Sequence, residues 1–428
     1  MEIWDANLLY LGYLKAIKTS KWKASTQRYK MYWLVHIAKL QQKLKSGNWF
    51  PGPTSEFVTR ERGKVRLIEG NTIDDRTVFH VVCDFFLTPA IKPYILYSNG
   101  ASQIGKGLDF QRRLLKKHLN QYYRRNHTNK GYIRITDFSK FYDNIVHIVV
   151  YDQFKDLNVN EEALGIIWRC LLSMRVDVDF LLNGKDNSIP KYKHDSLWYY
   201  QNIPKNKRTG KYLLSIGVYI GAQPSQVIGI YYPTRFDTLA PCKYGLKESG
   251  RYQDDTYAIS GSLPLLKDLS IDQENVCDDL GIYLNKKKTH IRRLDKKFKF
   301  LQHFYWITDT GAIVDKINKK QVHRFRVRLK KMAKKVRSGE RSFDDIENPI
   351  YSWIMAFHRY MSKRQIDNLI TLLAQLFPFE LRTWRHTDRL VQFATPSKRK
   401  LIKKIYQGDL KNYGYKRNTE SLGYCCCY

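Results

Sequence analysis

Three aspartates in this chain have the type and setting to do chemistry. Asp254 and Asp255 stand together in Arg251-Tyr-Gln-Asp-Asp-Thr-Tyr-Ala-Ile-Ser260, between two runs that alternate like half-buried strand. Asp137 ends another alternating run, Gly131-Tyr-Ile-Arg-Ile-Thr-Asp-Phe138. Paired acids between strands are ordinary turn chemistry, and a Tyr-x-Asp-Asp string arises by chance in roughly one chain in thirty of this length. The pair gains meaning only with a third carboxylate and a polyanionic partner, because hard divalent cations are held by several oxygen ligands. Asp137, at the exit of its strand, supplies that carboxylate. Brought together, the three could hold two Mg²⁺ ions, with Mn²⁺ as the alternative metal. One ion would lower the pKa of an attacking 3′ hydroxyl and the other would neutralise a departing pyrophosphate.

The composition supplies the polyanion. The 428 residues carry 74 Lys and Arg against 40 Asp and Glu, a net charge of +34 spread along the whole chain. That balance points to nucleic acid. The 30 Tyr, 20 Phe and 9 Trp are often interleaved with positive charge, as in Gln121-Tyr-Tyr-Arg-Arg125, which suits single strands and exposed bases. Most of these rings are nonetheless expected in the core. Among the cysteines Cys83, Cys170, Cys242, Cys277 and Cys425–Cys427 no CxxC pair and no nearby His supports zinc spacing, so free thiols in a reducing cytoplasm are expected. The first twenty residues lack a basic region before an apolar core, so no signal peptide is expected, and no run of eighteen apolar residues predicts a membrane span.

The elements that must position the acids follow from periodicity. Residues 6 to 48 read as basic amphipathic helix closed by Gly47, and 56 to 70 as a hairpin turning at Arg62-Gly63. A helix is predicted from Asp75 to about Thr88, ended by Pro89. The run 131 to 145 starts as strand and becomes helix after Asp137, and 175 to 211 reads as a long insertion. Residues 215 to 240 predict a strand, a Gly-Ala-Gln-Pro turn and a helix capped near Ser225, followed by the acidic hairpin. From Asn318 to about Phe377 the pattern is helical, strongly basic at first, with breaks at Gly339 and Pro349.

In this order the segments resemble the palm of reverse transcriptases, from about Lys64 to Phe304. "DFSKFYDNI" is similar to motif A, "IGAQPSQ" to motif B, "YQDD" to motif C and "LGIYLNKKKTHI" to motif D. The resemblance implies an α+β right-hand polymerase fold. Its parts would be N-terminal helices and fingers over 1–130, an antiparallel palm sheet with helices over 131–310, a helical thumb over 311–390 and a basic tail over 391–428. The tail is expected to be too short for an RNase H or endonuclease domain. Carried over by position, Asp137, Asp254 and Asp255 would be metal ligands, with Phe138 lending a backbone carbonyl. Lys288 would stabilise or protonate the leaving pyrophosphate. Tyr142 would be the aromatic gate against a ribose 2′ hydroxyl. Arg66 and Arg76 would grip the triphosphate beside the glycine loop 97–107, and Ile220, Gly221 and Gln226 would line the nucleotide site. Tyr252 and Gln253 would lie near the primer end and template.

Two departures narrow the resemblance. Motif B usually reads Gln-Gly-x-x-x-Ser-Pro, whereas here Ile220 and Gln226 give the Ile-Gly-x-x-x-Ser-Gln form of diversity-generating retroelement enzymes and related bacterial lineages. "FKFLQHF" at 298 to 304 has Gln302 where a primer-grip glycine is usual. The long insertion is similar to additions in defence-associated bacterial reverse transcriptases. The expectation is an RNA-directed DNA polymerase of the bacterial cytoplasm that copies a dedicated non-coding RNA with dNTPs into DNA. It would serve defence or diversification, alone or with a partner protein or further copies of itself. The alternatives are a template-independent or protein-primed DNA polymerase, an RNA-dependent RNA polymerase, and a catalytically silent RNA-binding scaffold.

Overall fold

The computed structural model describes residues 2–61, 64–174, 176–177, 208–209, 213–378, 381–383 and 392–393. They fall into two compact units, one of Met1–Leu301 with Trp306–Ile313 and the other of Gln302–Tyr305 with the chain from Val314 onward. The fold mixes helix and antiparallel sheet, as an α+β chain should. No helix among the described residues is long and apolar enough to cross a membrane.

The first unit begins with three helices where the periodicity predicts one: α1 (Ala6–Ile17), α2 (Ala24–Met31) and α3 (Trp33–Lys45). The first break falls at Ser20, which is buried and accepts a hydrogen bond from the Thr26 hydroxyl at 3.2 Å. Local hydroxyl bonds of this kind compete with helix continuation. The hairpin forms as expected, β1 (Ser55–Glu61) against β2 (Lys64–Gly70), in register from Ser55↔Gly70 to Glu61↔Lys64, while its Arg62-Gly63 turn lies outside the described residues.

The next helix, α4 (Ile73–Val81), is capped by the Thr72 hydroxyl, which accepts from the Asp75 N–H. It does not end at Pro89: a π-helical stretch, Val82–Leu87, leads into Thr88–Ile91. The proline sits just past the π-helical stretch in a helical run that continues through it, so it does not act as a stop. α5 (Leu108–Asn126) then leads into the sheet.

That sheet has four antiparallel strands in the order β4 (Ser249–Tyr252), β5 (Asp255–Ser260), β3 (Tyr132–Asp137), β6 (His290–Arg293). β3 is central and buried almost throughout. Helix α9 (Leu263–Leu280), capped by Ser262 and closed at Gly281, presses Leu266 and Leu269 against Ala258 of β5. The helix expected straight after Asp137 is delayed: a 3₁₀ turn at Phe141–Asn144 precedes α6 (His147–Asp156). α7 (Glu161–Ser173) follows.

Most of the 175–211 insertion lies outside the described residues. Beyond it, α8 (Gln223–Tyr231) starts two residues before Ser225. Ala222 is its N-cap and Pro224 stands in its first turn, a position proline favours.

The second unit contains α10 (Lys319–Arg337), α11 (Asp344–Phe357) and α12 (Lys363–Leu376), whose apolar faces share one core through Phe325, Leu329, Ile346, Ile350, Ile354 and Leu373. Gly339, at φ +75°, follows the end of α10, as the sequence predicts. Pro349 does not break the chain but sits inside α11. There it forfeits one backbone bond near the helix start, and burial of the flanking Ile346 and Ile350 offsets the loss. The tail beyond residue 393 lies outside the described residues.

Candidate active site

Antiparallel pairing sets the acids side by side. β3 pairs with β5 from Tyr132↔Ser260 to Asp137↔Asp255, so the last residue of one strand faces the first of the other. Tyr252 pairs with Asp255, which leaves Gln253 and Asp254 as a two-residue turn. The Phe138 N–H donates to the Asp254 carbonyl at 3.1 Å, closing that turn onto the exit of β3. The Phe138 ring itself is buried, 5.2 Å from Phe141 and 5.0 Å from Phe236.

The segment after α9 lies against the same exit. Ser139 N–H donates to Tyr283 O at 2.7 Å and Asn285 N–H to Asp137 O at 2.7 Å. This places Lys288 so that its Nζ donates to Asp137 Oδ1 at 2.5 Å, which singles it out from Lys286 and Lys287. Burial works against the Lys288 ammonium, but the bond to Asp137 and the charges of Asp137, Asp254 and Asp255 outweigh it and hold its pKa above the usual lysine value. The Asp255 carboxyl is pushed up to about 7, first by burial, then by Asp254 and Asp137. Among the described residues no three His, Cys, Asp or Glu side chains stand together as a ready-made cage for one ion, and Lys288 is the cation on Asp137. The donor set still suits hard divalent cations, since oxygen ligands whose mutual repulsion Lys288 relieves only in part are what Mg²⁺ or Mn²⁺ neutralises.

Tyr142 lies beside this cluster. Its hydroxyl donates to Gln253 Oε1 at 2.8 Å, and its ring rests on α8 at Gly229, where a Cβ would come within 2.9 Å of the phenol oxygen. Burial raises the phenol to about 12, with Asp254 adding to the rise and Arg251 and Arg66 pulling against it, so Arg66 of β2 belongs to the electrostatic surroundings. The loop before α8 packs on the same hairpin. Glu69 N–H donates to the Ile220 carbonyl at 3.3 Å, and Gly221 holds φ +124° with a Cβ position 3.0 Å from Glu69 O. A larger residue there would be strained in its backbone and would press on Glu69 and Ile68.

Arg76 and Gln226 make no hydrogen bond to this cluster among the described residues. Gln226 is exposed in the first turn of α8. Arg76 is half-buried on α4, and burial lowers its guanidinium pKa.

Two important residues are not visible as such in the sequence. Arg251 reads as a strand charge but is 1% exposed. Its Nε donates to both Asp237 oxygens at 2.9 and 2.8 Å, Nη1 to Gly229 O at 3.1 Å and Gln253 O at 3.2 Å, and Nη2 to Ile230 O. It therefore ties the acidic turn to the end of α8. Ser102 of the glycine loop accepts from Gln253 Nε2 at 3.0 Å. That loop is also stitched to β4, through Gly100 N–H to Arg251 O at 3.0 Å and Arg251 N–H to Ser98 O at 3.2 Å. Lys106 closes it by donating to Tyr97 O, Asn99 O and Gln103 Oε1 at 2.9 to 3.1 Å. Neither a protein-family model nor a curated protein matches the chain.

Proposed function

We propose that the chain is an RNA-directed DNA polymerase with the right-hand arrangement, the first unit supplying fingers and palm and the helices of the second a thumb. The observation that carries this reading is the register that sets Asp137 opposite Asp255, with Asp254 in the adjoining turn and Lys288 on Asp137. The order of motifs in the sequence and the net charge of +34 support it further.

Asp137, Asp254 and Asp255 would hold two Mg²⁺ ions, which supply a 3′ hydroxyl of lowered pKa and charge neutralisation at the pyrophosphate. The chain's own contribution is alignment. The β3–β5 pairing fixes two carboxylates on a stiff sheet, and the turn anchored by Phe138 N–H carries the third. Lys288, with its raised pKa, is charged at neutral pH and can give a proton or a hydrogen bond to the departing phosphate. Tyr142 would border the sugar of the incoming dNTP. The test is primer extension on a heteropolymeric RNA template with dNTPs and Mg²⁺; wild-type protein that adds no nucleotide under these conditions overturns the reading.

Tyr142→Ala is expected to raise ribonucleotide use relative to deoxyribonucleotide use by roughly 10- to 200-fold, the discrimination a tight pocket gains from one small group. The relative kcat/KM for ATP and dATP measures it, and an unchanged ratio removes Tyr142 from the sugar site.

Ile220→Gln is expected to raise fidelity roughly two- to tenfold, the worth of one hydrogen bond that only a correctly aligned nucleotide can accept. The half-buried Ile220 offers apolar contact alone, and its backbone is already fixed by Glu69. Error spectra of the two proteins on one RNA template decide the point; coincident spectra leave position 220 without a role in selection.

A further inference from the structure

We infer that Gln253 is a positioning residue that holds the Tyr142 ring in place, and that Ser102 of the glycine loop fixes Gln253 in turn. The inference rests on the polymerase reading and names a linkage, and in Ser102 a residue, that the motifs alone do not assign.

Gln253 occupies the first position of a two-residue hairpin turn with φ +57°, where glycine or asparagine is the comfortable choice. A long side chain is kept there against a backbone cost, and both ends of its amide and its backbone carbonyl are engaged. Its Oε1 accepts from the Tyr142 hydroxyl at 2.8 Å, its Nε2 donates to Ser102 Oγ at 3.0 Å, and its carbonyl accepts from Arg251 Nη1 at 3.2 Å. Ser102 is also in left-handed backbone, at φ +49°. Two non-glycine residues with unfavourable backbone, bonded to each other through their side chains, form a joint maintained by its contacts. A primary amide is suited to the middle of this relay because it accepts at one end and donates at the other.

The relay joins three parts of the site: the 3₁₀ turn that bears Tyr142, the hairpin that bears Asp254, and the glycine loop 97–107. The Tyr142 ring is confined by Gly229 beneath it and by Gln253 at its hydroxyl. Discrimination against a 2′ hydroxyl then depends on where the ring is held as well as on its volume. Loss of the phenol bond lets the ring tilt although the ring itself remains. Ser102 acts one bond further away, and being exposed it contributes less, since water competes for its hydroxyl.

The experiment measures kcat and KM separately for dATP and ATP in primer extension on an RNA template. The proteins are wild type, Tyr142→Phe, Gln253→Met, the double variant and Ser102→Ala. Tyr142→Phe keeps the ring and removes only the phenol bond, while Gln253→Met keeps the length and removes the bonds to both Tyr142 and Ser102. The inference expects each to lower the dATP-over-ATP preference roughly two- to tenfold, the double variant to fall no further than Gln253→Met alone, and Ser102→Ala to shift it less in the same direction. Additive losses, or a preference unchanged in Tyr142→Phe and Gln253→Met, overturn the inference and leave the polymerase reading standing. Wild-type protein that extends no primer overturns both.

Discussion

Asp254→Asn is expected to lower nucleotide addition by at least about 10³-fold, some 4 kcal/mol of lost transition-state stabilisation, while affinity for RNA stays within about twofold. The amide keeps the side-chain shape, and the turn is held through the Asp254 backbone carbonyl and the contacts of Gln253, so the hairpin should persist. The charge that would hold a cation is lost. RNA affinity comes from a positive surface distributed over the chain, to which one neutralised acid is a small addition. Asp255→Asn gives an independent check on stability. Its carboxyl, pushed to about 7 by burial and by Asp254 and Asp137, is ionised above that pH at a cost to the metal-free fold. The folded state binds that proton more tightly than the unfolded one, so the carboxyl lowers stability as pH rises from the ordinary carboxylate range through about 7. At pH 8 the Asn variant should therefore melt higher than wild type without metal and yet be inactive. Parallel loss of RNA binding and activity, or a variant that melts lower, would mean that these acids serve the fold and not the reaction.

The site was legible in the sequence where local rules decide. Alternation put Asp137 at a strand exit and Asp254-Asp255 at a hairpin, while the register that sets Asp137 opposite Asp255 came from the fold. The choice among Lys286, Lys287 and Lys288 was not local; it was made by the backbone bonds that lay the segment along Ser139 and Asp137. Helix boundaries shifted where proline was read as a stop or as part of a turn. Pro224 stands in a first turn, where an N–H has little to lose, Pro89 follows directly on a π-helical stretch, and Pro349 is tolerated inside a helix because tertiary burial outweighs one missing bond. The Tyr142–Gln253–Ser102 contacts span more than 100 residues, and periodicity carries no information at that separation. Arg251 was the least legible of all. A cation in an alternating strand normally faces water, and only the fold supplies Asp237 and two carbonyls at the end of α8 to receive it.

Arg251→Ala is accordingly expected to be the most damaging single change for stability, by about 3–5 kcal/mol, a fall in Tm on the order of 5–10 °C for a unit of this size. The guanidinium is almost wholly buried and satisfies five acceptor contacts: both oxygens of Asp237 and the carbonyls of Gly229, Ile230 and Gln253. Its removal leaves a cavity and, worse, a buried carboxylate with no counter-ion. Burial already pushes the Asp237 carboxyl upward, and Arg251 is what opposes that push. Without it Asp237 must take up a proton or draw in water, and the Gln253 carbonyl loses the donor that helps fix the strained turn. The pair Arg251→Met with Asp237→Leu tests this account, since it removes the stranded charge and refills the volume. Apolar replacement of a buried ion pair is often close to neutral. Thermal melting should therefore place the double variant well above Arg251→Ala. If the two melt together, the loss comes from the carbonyl contacts and not from the charge on Asp237. Activity should separate from stability in the same proteins: the refilled variant is expected to fold but to add nucleotides poorly, because the acidic turn no longer has its tie to α8.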